Sequence, residues 1–98
     1  MLKISVVEGR NQRRVIVEGK LIPPWVAELR TACERARADL EDRKLIIDLK
    51  NVTAINREGE NALLELMKQR VKFRCGVFTK HLLRGLIRRR RGSIQKAD

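Results

Sequence analysis

The residues best suited to catalysis are few and scattered in this 98-residue chain. Cys75 could serve as a nucleophile and His81 as its base, with the cysteine near the end of a strand and the histidine near the start of a helix. No third group that would orient the histidine is suggested by the sequence. We therefore favour a core cysteine and a surface histidine. Asp48, at the end of an apolar segment, is a further candidate carboxylate.

Signatures of nucleotide and metal sites are missing. The chain has no G-x-G-x-x-G, no G-x-x-x-x-G-K-[ST] and no C-x-x-C motif. His81 is the only histidine, which argues against a dedicated zinc site. Cys33 and Cys75 are expected to be reduced thiols, as in a cytoplasmic protein, and no secretory signal or membrane-spanning segment is visible. The sequence predicts a non-enzymatic, cytoplasmic protein with no cofactor and no metal.

The segment Asn56-Arg57-Glu58-Gly59-Glu60 joins an apolar segment to a helical pattern. Asn56 suits a helix N-cap, and the two glutamates suit the positive end of the helix dipole. Those carboxylates make the same helix start a poor phosphate site. Gly59 is costly inside a helix, which indicates a close backbone approach or a bare surface. A well-capped helix accounts for most of the segment without any further function.

Positive charge is concentrated in the last third of the chain. Residues 1–67 hold 12 basic and 11 acidic residues, whereas residues 68–98 hold 11 basic residues and one acidic residue. The run Arg88, Arg89, Arg90 and Arg91 lies in this part and is a candidate anion-binding site. An acidic protein surface and nucleic acid are equally good partners for it, and an anionic membrane surface is a weaker one. Any nucleic-acid binding would be phosphate-driven, because Phe73 and Phe78 are predicted to point to opposite faces of one strand.

Hydrophobic periodicity predicts an α/β fold with the element order β-β-α-β-α-β-α. The predicted strands are 2–7, 14–18, 45–49 and 73–79, and the helices begin near residues 24, 57 and 79. A buried strand between two helices requires crossover connections, so the sheet should be mixed. Thr79 is expected to cap the third helix and Gly92 to end it. The prediction is one domain over residues 1–91 and a short C-terminal tail over residues 92–98.

This arrangement resembles the STAS domain, the fold of anti-sigma factor antagonists and of the cytoplasmic tails of sulfate transporters. The residues that carry the resemblance are the strand Leu45-Ile46-Ile47-Asp48-Leu49, the pair Asn51-Val52, Ile55, the turn 56–59 and Leu63. The upstream hairpin and the long first helix match in order and length. The likeness covers residues 2–87 and implies a mixed four-stranded sheet with three helices, in which Asp48 satisfies loop N–H groups.

The resemblance also implies a function. In that family the turn reads Asp-Ser-x-Gly or Asp-Thr-x-Gly, and a partner kinase phosphorylates the hydroxyl. Here Asn56 and Arg57 stand at those two positions, so the family's switch has no hydroxyl to act on. The implied function is regulatory protein binding in signal transduction and transcription regulation, through Asn56, Arg57, Glu58, Gly59 and Glu60, with a kinase-fold anti-sigma factor as partner. The rival hypothesis is a small nucleic-acid-associated protein that acts through its basic third, and the oligomeric state is left open.

Overall fold

The computed structural model confirms the element order predicted from the sequence. It describes the backbone of residues 1–69 and 71–96, and the side chains of those residues up to residue 86 and of residue 88. The strands are β1 (Leu2–Glu8), β2 (Gln12–Leu21), β3 (Lys44–Ile55) and β4 (Lys72–Arg74). The helices are α1 (Trp25–Arg37), α2 (Arg57–Met67) and α3 (Val77–Lys96).

The four strands form one mixed sheet in the order β1-β2-β3-β4. β1 and β2 are an antiparallel hairpin, while the β2–β3 and β3–β4 pairs are parallel. Each parallel pair is connected through a helix, and such crossovers are nearly always right-handed. Two consecutive crossovers in the same direction put α1 and α2 on the same face, where the ion pair between Arg30 and Glu65 joins them at 3.5 Å.

The main core lies between this face of the sheet and helices α1 and α2. Alternate residues of the two central strands are fully buried there, among them Val15 in β2 and Ile47 in β3. Leu29 of α1 and Leu63 of α2 are equally inaccessible to solvent. Full burial of such a side chain contributes roughly 1.5–3 kcal/mol to folding. These contacts hold α1 and α2 against the sheet.

The opposite face of the sheet is covered by α3. Asp48 follows Ile47 in β3, so its side chain points away from α1 and α2. It is nevertheless only 7% exposed. Helix α3 contacts β3 and buries Leu83 and Leu86. A layer of α3 on this side of the sheet accounts for the burial of both the carboxylate and the leucines.

Two strands are longer than the sequence indicated. The predicted second strand ends at Glu18, just before Gly19, but β2 continues to Leu21 with irregular register on both sides of Gly19. Gly19 has a positive φ of 105°, and a Cβ there would overlap the Met1 carbonyl oxygen. The glycine therefore forms a bulge instead of a stop. β3 likewise continues past Leu49 to Ile55, with Val52 buried.

The predicted strand 73–79 is wrong in its second half. β4 ends at Arg74, and Val77 and Phe78 belong to α3. Both side chains are exposed, Val77 by 79%. The prediction that Phe73 and Phe78 lie on opposite faces of one strand is therefore also wrong. A short apolar run does not by itself distinguish a strand from a helix start.

Thr79 is a capping residue, although not at the position predicted. It lies inside the first turn of α3, where it is 1% exposed. Its Oγ1 accepts a hydrogen bond from the Gly76 N–H at 3.0 Å and donates to the Gly76 carbonyl oxygen at 3.4 Å. The side chain reaches back to the residue before the helix, as the third helical residue of a capping box does.

The C-terminal end of α3 lies beyond the predicted stop. The helix runs through Gly92 to Lys96. The division into a domain over 1–91 and a tail over 92–98 remains a prediction. No helix within the described ranges combines the length and the apolar character that crossing a membrane requires.

Candidate functional site: the turn between β3 and α2

The turn from Asn56 to Glu60 begins where β3 ends. Asn56 has an extended backbone, with φ −101° and ψ −176°, and its Oδ1 accepts a hydrogen bond from the Gly59 N–H at 3.0 Å. The Asn56 N–H donates to the Leu21 carbonyl oxygen at 3.4 Å. The predicted N-cap is thereby confirmed. The cap also ties the start of α2 to the end of β2.

Gly59 is the point of closest contact between α2 and the sheet. It is buried, and a Cβ built on it would overlap the Leu21 carbonyl oxygen and lie 2.8 Å from Cγ2 of Ile55. Of the two readings of this glycine, close backbone approach is therefore the correct one. The missing side chain allows α2 to start directly against the ends of two strands.

Arg57 and Glu58 point outward from this fixed backbone. Both side chains are exposed, whereas Glu60 is partly buried. Arg57 is thus displayed at the rim of the domain and is not covered by other side chains. The turn presents a permanent positive charge next to a carboxylate.

A groove of about 420 Å³ adjoins the turn. Glu58 and Asn61 of α2 line one side of it, and the other side is lined by Pro23 and Pro24, which precede α1, and by Arg30 of α1. The groove residues of α1 were not among the predicted site residues. A signal for them exists, because α1 and α2 both follow the carboxyl ends of adjacent parallel strands, and their first turns must lie side by side.

The catalytic candidates Asp48, Cys75 and His81 differ in their surroundings. Asp48 Oδ1 accepts a hydrogen bond from the Lys50 N–H at 3.0 Å, which is a structural role as the resemblance implies, although Lys50 belongs to β3 and not to a loop. Both cysteines are free thiols. Burial raises the pKa of the Cys75 thiol, which disfavours the nucleophilic thiolate. His81 is exposed, and within residues 1–69 and 71–96 no three metal-ligating side chains converge.

The predicted anion-binding run lies in α3. Arg88 is exposed, and the side chains of Arg89, Arg90 and Arg91 fall outside the described part of the chain. Lys80 and Arg84 precede Arg88 at steps of four residues and are also exposed. At 3.6 residues per turn, these three cations lie along one side of the helix.

Comparison with known proteins supports the fold. No known family model matches the chain, and no curated protein matches it. Among solved structures, the chain is similar to an uncharacterized protein of the DUF3478 family from Shewanella loihica PV-4, described as having a SpoIIAA-like fold. The match has a TM-score of 0.53 and 12% identity, and it covers 87% of this chain and 93% of that one. The chain thus has a SpoIIAA-like, STAS-type fold, as its sequence predicted.

Proposed function

We propose that this chain is a non-enzymatic regulatory domain that binds a protein partner through the turn from Asn56 to Glu60. The observation that carries the proposal is the exposed Arg57 on a backbone held by the Asn56 cap and by the contact at Gly59. A rigid turn that displays a charge suits recognition, since little conformational entropy is lost on binding. The adjoining groove offers the partner a concave surface beside the charge.

The nature of Arg57 makes the binding constitutive. A serine or threonine at this position could be phosphorylated, and the phosphate would reverse the local charge. Arginine carries a fixed positive charge and has no hydroxyl group to phosphorylate. The fold likeness favours a role like that of an anti-sigma factor antagonist, in cytoplasmic signal transduction and transcription regulation, with a kinase-fold anti-sigma factor as partner.

Titration calorimetry with the kinase-fold anti-sigma factor of the same organism tests this function. We expect the wild-type chain to bind and Arg57→Asp to weaken binding at least about tenfold, which corresponds to about 1.4 kcal/mol. Arg10→Asp is the matched control, because Arg10 is exposed at the opposite end of the sheet and the charge change is the same. Equal affinities of the two variants would contradict docking at the turn.

A second candidate function is phosphate-driven binding of nucleic acid. The specific observation in its favour is the exposed row of Lys80, Arg84 and Arg88 on one side of α3. Each phosphate contact contributes about −0.9 to the slope of log K against log salt on duplex DNA. If α3 binds DNA, replacing all three residues by alanine should reduce the slope by about 2.7. DNA binding is measured by fluorescence anisotropy at several salt concentrations, and an unchanged slope of log K against log salt would eliminate this row as the binding surface. The variant Arg57→Asp separates the two functions, because it should leave DNA binding nearly unaltered.

A further inference from the structure

β1 is an edge strand whose outer side meets no other strand in the described part of the chain. On its inner side, the Lys20 N–H donates to the Met1 carbonyl oxygen at 3.3 Å. In an antiparallel ladder the residues that bond to one neighbour alternate with those that bond to the other. Since Met1 bonds to β2, every second residue from Met1 also bonds to β2. The residues between them direct their N–H and C=O groups outward, and these are Leu2, Ile4, Val6 and Glu8.

This edge lacks the features that usually block pairing. Natural edge strands are kept apart by prolines, central charges, bulges or short length. β1 has seven residues, no proline, and charges only towards its ends, at Lys3 and Glu8. Between them, Val6 is 49% exposed and Val7 is 43% exposed. An extended strand with exposed valines and outward-facing backbone groups is typical of a strand that acquires a partner.

We propose that β1 pairs with β1 of a second copy, antiparallel about a two-fold axis at Ser5, to form one continuous sheet. Leu2 then lies opposite Glu8 of the second copy, and Ile4 opposite Val6. Each residue in these pairs belongs to the outward-bonding set, so each of the four symmetry-related pairs exchanges two hydrogen bonds. A register shifted by two residues would retain three pairs instead of four. The proposal does not rest on the proposed function.

The side chains of β1 are compatible with this register. Ile4 and Val6 point to the α1 side of the sheet, where they form the floor of a groove of about 660 Å³ between α1 and the edge. The groove is open because α1 turns small residues towards it, including Ala27 and Ala32. In the dimer the two grooves lie side by side, and Ile4 of each copy covers part of Val6 of the other. The apolar floor therefore gains the cover that it lacks in one copy.

The position of α1 along β1 can be derived from Arg13. Arg13 lies opposite Glu8 in the hairpin, and its Nη1 donates to the Ala36 carbonyl oxygen at 2.7 Å. The end of α1 is therefore level with Glu8. Ser5 lies three residues back, roughly 10 Å along the strand, which corresponds to roughly six or seven helical residues. Counted back from Arg37, the last residue of α1, the two-fold axis at Ser5 is thus close to the level of Arg30 and Thr31.

An axis at this level aligns opposite charges on the two α1 helices. Glu28 precedes Thr31 by three residues and Arg35 follows it by four, and both line the groove. The two-fold operation then brings Glu28 of one copy across from Arg35 of the other, twice. Because α1 packs mainly on β2, the two helices are separated by three strand spacings, roughly 14 Å. Extended glutamate and arginine side chains that reach towards each other span this gap.

The charge distribution also favours pairing at this edge. The basic excess belongs to residues 68–98; within this part of the chain, β4 is the strand farthest from β1, and α3 contacts β3. Pairing through β1 places β4 of the two copies at opposite edges of the joined sheet. The net charge of +11 therefore opposes this dimer less than it would oppose one formed through β4.

Sedimentation equilibrium of the full chain over a concentration series tests the proposal. We expect a mass twice the 11.4 kDa of one copy, and Ser5→Arg should raise the dissociation constant at least about tenfold, because two like charges would face each other on the axis. Gln69→Arg is the control, since it adds the same charge at an exposed residue away from β1. A monomer at millimolar concentration, or a Ser5→Arg dimer as tight as wild type, would overturn the proposal.

A charge exchange on α1 gives an independent test that leaves β1 intact. Glu28 and Arg35 are both exposed. Each of the single substitutions Glu28→Arg and Arg35→Glu should weaken the dimer, because it places like charges at positions 28 and 35 of the facing helices. The double variant restores opposite charges, so its dissociation constant should return to within about threefold of wild type. If the double variant is as weak as the single variants, the two α1 helices do not face each other and the proposed register is wrong.

Discussion

Substitution of Gly59 by alanine tests the contact that positions the turn. Alanine favours a helix over glycine by about 1 kcal/mol, so an uncrowded position would gain stability. At Gly59 the added methyl group would overlap the Leu21 carbonyl oxygen and approach Cγ2 of Ile55 to 2.8 Å. The carbonyl belongs to a strand and cannot swing aside as a flexible side chain would. Overpacking costs typically 1–3 kcal/mol, and overlap with a strand carbonyl belongs to the upper part of that range, about 2–3 kcal/mol, which exceeds the propensity gain.

We therefore expect Gly59→Ala to lower the free energy of unfolding by about 1–2 kcal/mol. For a domain of this length, each kcal/mol corresponds to about 4–8 °C in Tm. Urea denaturation followed by circular dichroism measures the change, with an unchanged m-value showing that compactness is preserved. The variant should also bind the protein partner more weakly, because α2 must shift to accommodate the methyl group and Arg57 moves with it.

Gly85→Ala is the matched control in another helix. Gly85 is exposed in α3, and a Cβ built there meets no atom within 4 Å. The same substitution should therefore raise the free energy of unfolding by about 0.5–1 kcal/mol. Opposite signs for the two alanine variants are the expected result. A Gly59→Ala variant as stable as wild type would refute the close approach of α2 to β2.

Two further predictions concern the cap and the buried thiol. Asn56→Ala removes the acceptor for the Gly59 N–H and should lower the free energy of unfolding, measured by urea denaturation, by about 1 kcal/mol. Asn56→Asp keeps an acceptor and should retain most of the stability. Equal losses in the two variants would contradict the capping role. Burial raises the pKa of Cys33 to about 11, so the folded state holds this proton more tightly than the unfolded state and stability should fall as pH rises from about 8.5 towards 11. Cys33→Ala should remove that part of the pH dependence in thermal melts, and a melting profile with the same slope in both proteins would count against it.

The sequence was informative where side-chain pattern and backbone requirement agree. The Asn56 cap, the glycine at position 59 and the buried strand around Ile47 all follow from residue types that suit one structure. The pattern failed where apolar residues are exposed, as at Val77 and Phe78. The predicted strand 73–79 includes both residues, whereas the structure places them in α3. The helix start is marked by the capping hydrogen bond between Thr79 and Gly76, which hydrophobic periodicity does not reveal.

Arg13 shows why part of the architecture could not be predicted. It falls at the hairpin turn in sequence, yet it is buried by contacts with residues far along the chain. It forms ion pairs with Glu8 at 2.5 Å and Asp39 at 3.2 Å and donates to the Ala36 carbonyl oxygen. The hydrogen bond to Glu8 is the main reason that the pKa of Arg13 is raised. A tertiary network of this kind becomes visible only once α1 has been placed on the sheet.

The proposed dimer and the proposed docking turn are geometrically compatible. The turn from Asn56 to Glu60 lies at the carboxyl end of β3, and Leu21 at the end of β2 contacts it. Because β1 is antiparallel to β2, this end of the sheet is also where Leu2 lies. Antiparallel pairing places Leu2 of one copy beside Glu8 of the other, so the two turns lie at opposite ends of the joined sheet. Each turn can then bind a partner without obstructing the other, and Ser5→Arg should change the number of partner molecules per assembly without changing the affinity of each turn.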